Sequence, residues 1–262
     1  MELAGTRPTT GRARFRLLYN ILVMPRFQLQ EPVLRLCLLT MVLATVAACD
    51  EFATPAELAH PQILAIRAEP PVITPGTTAT LELLIADADG RMSAPNVAWE
   101  VTSAGPGAPL LGAVEGQPDG TALYTAPTEL AEEPALASVQ ATVDVGESAP
   151  LIAIKGIGLL SADLGLVNPT VSAFLVDEVD RLAEQNIVVA PGQTVALEIA
   201  TEPASGDMAT YAWYSTGGAI ERYQSNPTEM VASETPTSGW LFAVTRDGFG
   251  GVAWHAVQLD VQ

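Results

Sequence analysis

The stretches "PGTTATLELLIAD" (Pro75–Asp87) and "PGQTVALEIATE" (Pro191–Glu202) are two copies of one pattern, Pro-Gly-x-Thr-x-x-Leu-Glu followed by aliphatic residues. In the first copy Leu81, Leu83 and Ile85 alternate with Glu82, Leu84 and Ala86. In the second, Val195, Leu197 and Ile199 alternate with Ala196, Glu198 and Ala200. A period of two with one apolar face predicts a half-buried strand. The leading Pro-Gly predicts a turn, because proline fixes φ and glycine tolerates positive φ.

Two further matches flank this one in the same order. "HPQILAI" (His60–Ile66) matches "NPTVSAF" (Asn168–Phe174), and "VAWEVTS" around Trp99 matches "YAWYSTG" around Trp213. The offsets are 108, 116 and 114 residues, so only loop lengths differ. Three collinear matches predict two homologous units, residues 60–158 and 159–262. Late in the second unit, "WLFAVTRDGFGGVAWHAVQLDV" reads as a hairpin turning at Asp247-Gly248, with a counterpart turning near Gly146-Glu147 in the first.

The composition agrees. Glycine (21) and proline (20) are plentiful and charged residues are only 16% of the chain, which suits short strands and turns. About seven strands per roughly 100 residues, with a tryptophan in the third, predict an all-β chain of two tandem immunoglobulin-like β-sandwiches. "DGTALYTAP" (Asp119–Pro127) resembles the strand and turn of bacterial immunoglobulin-like repeats, and "FAVTRDGFGG" is similar to the last hairpin of polycystic-kidney-disease-type domains. Neither unit has an inter-sheet cysteine pair, so packing around Trp99 and Trp213 must serve instead.

Upstream, Leu36–Ala48 ("LCLLTMVLATVAA") is a 13-residue run without charge, preceded by Arg26 and Arg35. A bilayer-spanning helix needs about 20 apolar residues, so this run fits the core of a secretory signal instead. It ends Val46-Ala47-Ala48-Cys49, which resembles the lipobox of bacterial lipoproteins. The resemblance implies a cleaved signal peptide over residues 1–48. It also implies a diacylglyceryl thioether on Cys49 and an acylated (palmitate-type) amine, which together anchor the protein to a membrane. Val46 and Ala48 would also suit an ordinary signal peptidase. Met24 is a plausible true start. Asp50 resembles the inner-membrane retention signal of enteric bacteria, and inner versus outer membrane stays open. Residues 49–59 then read as a lipidated tether, with the second unit farthest from the membrane. Cys37 falls in the removed segment, which leaves no thiol pair.

Six of the twelve Arg/Lys residues precede Cys49, together with only Glu2 and Glu31. From Cys49 onward six basic residues face 28 acidic ones, a formal net of −22. Such a surface repels phosphate backbones and excludes nucleic acid as a partner.

Catalysis needs a nucleophile with its base, a metal cage or a cofactor loop. The mature chain has His60, His255 and Lys155, and no Gly-x-Ser-x-Gly, His-Glu-x-x-His or Cys-x-x-Cys. No enzyme and no required cofactor are expected. Asp87 and Asp89 in "ADADG" could share a calcium ion, but Asp and Gly also make turns at such a place. Trp240, Phe242 and Val244 share one strand face and are expected in the core. If Val257, Leu259 and Val261 point inward, His255 does too and Trp254 faces out. Beside Tyr214 or Tyr223, Trp254 would be a contact for a protein or glycan; otherwise it sits at a core edge. The expected role is structural or adhesive: a lipid-anchored, extracytoplasmic protein of the cell envelope that presents immunoglobulin-like domains to a partner. The alternative is a carbohydrate- or calcium-binding module in the second domain.

Overall fold

In the computed structural model the described residues are 55–93, 96–103, 105, 107–146, 149–204 and 206–262. Cys49, Asp50, Met24 and the signal segment lie outside them, as does Glu147 of the first unit's late turn.

The first sandwich consists of β1 (Gln62–Glu69), β2 (Val72–Ile73), β3 (Thr78–Asp87), β4 (Gly90–Arg91), β5 (Val97–Thr102), β6 (Ala113–Gly116), β7 (Ala122–Thr125), β8 (Ala135–Val143) and β9 (Leu151–Leu159). The second consists of β10 (Thr170–Val176), β11 (Val179–Asp180), β12 (Asn186–Val189), β13 (Thr194–Glu202), β14 (Thr210–Ser215), β15 (Gly218–Ile220), β16 (Thr228–Ala232), β17 (Thr237–Arg246) and β18 (Val252–Val261).

Each sandwich has the same strand order. One sheet runs β1-β3-β7-β6, with β4 folded back on β3, and the other runs β2-β9-β8-β5. The second pair runs β11-β10-β13-β16-β15 and β12-β18-β17-β14. First, second, fifth and fourth main strands on one sheet and third, sixth and seventh on the other is the seven-stranded immunoglobulin arrangement. In both copies the opening strand divides, and its second part (β2, β12) crosses over to run parallel to the last strand.

The repeat extends to irregularities. Leu64 is an extra residue in β1, between the pairs Ile63–Ile85 and Ala65–Leu84. Ser172 is the extra residue in β10, between Val171–Thr201 and Ala173–Ala200. These bulges occupy the same place in the repeat, where an inserted residue bends an edge strand and increases its twist. Each third-strand tryptophan donates its indole N–H to a carbonyl before the fifth strand: Trp99 to Gly120 (3.2 Å) and Trp213 to Ser225 (2.9 Å).

Two cores follow from the alternation. Ala79, Leu81, Tyr124, Val139, Ile157 and Leu159 fill the first, and Trp99 packs at its side. Phe174, Leu197, Ile199, Trp213, Leu241 and Leu259 fill the second.

A third apolar core joins the two sandwiches. Leu64, Ala65, Leu84 and Ala86 from the outer face of β1–β3 meet Ala212, Phe242, Val244 and Val252 from the outer face of the β14–β17–β18 sheet. This changes two sequence expectations. Trp240, Phe242 and Val244 do share a face, but it faces this seam, while Leu241 and Ala243 face the sandwich core. On β3 the face carrying Leu84 and Ala86 is also buried. Strands covered on both sides are apolar on both sides, so alternation alone cannot say which face meets which layer.

The tether expectation changes as well. Residues 50–54 lie outside the described residues, but Ala56 and Leu58 are 2% and 1% exposed. They bracket a parallel bridge from Glu57 to Ser215, with Ser215 N–H donating to Ala56 and Leu58 N–H donating to Ser215. The segment before β1 thus docks on the end of β14 through one parallel bridge. The described chain does not keep the second sandwich farthest from its N-terminal side. Residues 53–262 form one compact unit.

Candidate functional site

A groove near the expected site residues runs beside strand β14. Tyr211, Tyr214, Tyr223, Gln62, Gln224 and Arg246 line a volume of about 650 Å³. The structure therefore brings Tyr214 and Tyr223 together, with Tyr211 and Arg246 added. Tyr211 and Tyr223 pack partly on the second core, and Tyr214 packs on the seam. Among the described residues none of the three phenol groups has a hydrogen-bond partner. Burial pushes the Tyr214 phenol pKa up, the Arg246 guanidinium pulls it down and Tyr223 pushes it up, so these three groups act on one another.

Arg246 ends β17. It donates to the Leu64 carbonyl (2.9 Å), tying the bulge of the first sandwich to the second. Its other flank opens on a second cavity of about 410 Å³, lined by Ile63, Ile66, Ile154, Lys155, Gly250 and Val252 among others. Lys155 donates to the Gly250 carbonyl in the β17–β18 loop. Burial first, and then repulsion from Arg246, pulls its pKa down to about 8. Asp247, which attracts it, accepts the Phe249 and Gly251 N–H groups through Oδ1.

Trp254 does not line the groove. It faces away from the second core into the seam, where the Arg67 guanidinium lies 4.4 Å from its ring centroid, so one indole face is already covered. His255 points inward beside Phe174 (4.7 Å between rings), and burial pulls its pKa down. His60 is exposed in the bend before β1.

Asp87 and Asp89 flank the β3–β4 turn, where the Asp87 carboxylate accepts the Asp89 N–H (2.9 Å). This Asx turn accounts for Asp87 by turn chemistry. Among the described residues no group of three or more His, Cys, Asp or Glu side chains could hold a metal ion.

Arg246, Tyr211, Gln62 and Gln224 were not singled out by sequence. The signal available was Arg246 itself, an isolated cation before Asp247-Gly248 in an acid-rich chain. Asn168, the repeat counterpart of exposed His60, was missed too. It is buried, donates to the Ala68 carbonyl (2.7 Å) and the Glu69 carboxylate (2.6 Å), and accepts the Val252 N–H (2.8 Å).

Strand order, pairing and the two cores define a tandem immunoglobulin-like β-sandwich protein. No protein-family model matches the sequence, and no curated protein does. Among solved structures the chain is similar to fibronectin(III)-like modules of Clostridium thermocellum CbhA, at 12% identity over 76% of this chain and 94% of that one, with a TM-score of 0.29. A titin immunoglobulin tandem gives 16% identity over 78% and 98% of the two chains, with a TM-score of 0.24. A nucleoside hydrolase-related protein from Saccharophagus degradans gives 17% over 39% of this chain and 28% of its own, with a TM-score of 0.28.

Proposed function

We propose that this chain is a lipid-anchored, extracytoplasmic, non-catalytic protein of a bacterial envelope, whose fused immunoglobulin-like domains present a rigid surface to a protein partner. The observation that carries the reading is on the outer face of β8–β9. Leu136, Ile152 and Ile154 are 56%, 59% and 62% exposed there, on a sheet whose other face packs into the first core through Ala137, Val139, Ile157 and Leu159. Clustered exposed aliphatic side chains on a well-packed sheet mark protein contact surfaces. The anchor is supported by Val46-Ala47-Ala48-Cys49 after its uncharged run. The test replaces Ile154 by a photo-crosslinking residue in cells. Envelope proteins should be captured, and Ile152→Ser with Ile154→Ser should abolish capture. Fractionation of a Cys49→Ser chain tests the anchor separately: release from the membrane supports it, and unchanged membrane residence contradicts it.

A second reading rests on the groove beside β14. Three tyrosines whose hydroxyls have no partner among the described residues, with two glutamine side chains around the same volume, suit a saccharide, whose rings stack on aromatic faces and whose hydroxyls exchange hydrogen bonds. Binding of neutral or charged oligosaccharides to the soluble chain tests it.

A further inference from the structure

We propose that the groove at the domain seam binds a carboxylate-bearing saccharide, with its ring against Tyr211, Tyr214 and Tyr223 and its carboxylate on Arg246. The inference rests on the saccharide reading and adds a charge requirement to it.

The first ground is the pairing of the cations. Arg67 and Arg91 share Glu82, Arg181 pairs with Glu184, and Arg222, without an acidic partner among the described residues, is exposed to solvent. Among the described residues Arg246 has one hydrogen-bond partner, the Leu64 carbonyl, and no acidic one, whereas Lys155 donates to the Gly250 carbonyl and is attracted by Asp247. The chain has 28 acidic residues after residue 48 to spare for such positions. A seam built for stability alone would pair or remove cations beside apolar walls, because a partly desolvated charge without a counterion is costly. An anion from outside the chain supplies that counterion.

Geometry narrows the anion. A guanidinium has five N–H donors in a planar fork that matches a carboxylate. Only one acceptor, the Leu64 carbonyl, is taken up on Arg246. The cavities of about 650 and 410 Å³ meet along Arg246 and Thr210, so the guanidinium borders both. On one side of it lie phenol hydroxyls and the Gln224 amide, and on the other aliphatic side chains and Lys155. Each volume is in the size range of small-molecule sites. Hydroxyl and amide groups around aromatic rings are the chemistry for a sugar, and the cation at their border is the chemistry for its acid group.

The experiment is calorimetric titration of the full chain carrying Cys49→Ser with trigalacturonate and with neutral galactotriose. Trigalacturonate is expected to bind at least about tenfold more tightly, the gain of one charge-assisted contact, and to weaken as salt is raised. Arg246→Gln should abolish that difference, so that the two sugars bind the variant with equal affinity. Because Arg246 also holds Leu64, Arg246→Lys is measured beside it, keeping the charge but losing the fork. It should retain only part of the preference. Tyr223→Ala should weaken both sugars. Equal affinity for the two sugars overturns the charge requirement and leaves the saccharide reading standing. Binding of neither overturns both.

Discussion

Gly90 of the first sandwich and Trp240 of the second are in such close contact that a Cβ on Gly90 would fall 2.2 Å from the indole Nε1. Gly90 also has φ of +115°, a conformation that side-chain-bearing residues rarely adopt. The β3–β4 turn is thus pressed onto Trp240, which stacks beside Phe242 at 6.1 Å. Gly90→Ala should cost about 1–3 kcal/mol through overpacking and backbone strain. Because it strikes the seam, calorimetry should show one melting transition in the wild type and two in the variant. A single unchanged transition in Gly90→Ala would contradict the fused seam.

Asn168 links the end of β1, the linker between the sandwiches and the start of β18. Its replacement by alanine leaves the Ala68 carbonyl and the Val252 N–H without partners in a buried place. Each such orphan costs about 1–3 kcal/mol, so Asn168→Ala should lower unfolding free energy by about 2–4 kcal/mol. His60→Ala, at the matching repeat position but exposed, should change it little. Denaturant titration of both variants makes the comparison.

Lys155 should produce a stability that rises with pH above 8. Its pKa is about 8 in the fold against 10.5 when free. Below pH 8 the amine is charged in both states and the fold bears the burial cost. Between 8 and 10.5 the unfolded chain holds the proton and the folded chain does not, so stability climbs. From pH 7 to 10 the gain should be about 2 kcal/mol. Lys155→Met should flatten that rise and be more stable than wild type at pH 7. Urea unfolding across this range measures it.

The two repeat tryptophans should differ in cost. Trp213 is fully buried, while Trp99 is only partly so. Trp213→Ala should destabilise by about 3–5 kcal/mol, and Trp99→Ala by clearly less. Through the seam, the loss at Trp213 should lower the melting temperature of both sandwiches together, which domain-specific hydrogen exchange would read.

The tandem sandwiches were legible because their evidence is local. Pro-Gly before Thr78 and Thr194, alternation along β3 and β13, and a tryptophan in each third strand depend only on backbone geometry and a period of two. Tyr214 and Tyr223 were legible as candidates because aromatic residues concentrate in the second unit. Their meeting with Arg246 and Tyr211 was not, since no spacing rule relates Tyr223 to Arg246.

What the sequence determined by itself is the architecture of each unit and the order of its strands, because those follow from patterns within a few residues. Only the tertiary structure decided that Leu84, Phe242 and Val244 face a seam, that Ala56 and Leu58 pack on the second sandwich, and that Trp254 lies under Arg67. Burial on a second face leaves the same apolar letters as burial on the first. Which of two greasy surfaces meets which neighbour is set by contacts between residues as far apart as Leu64 and Arg246.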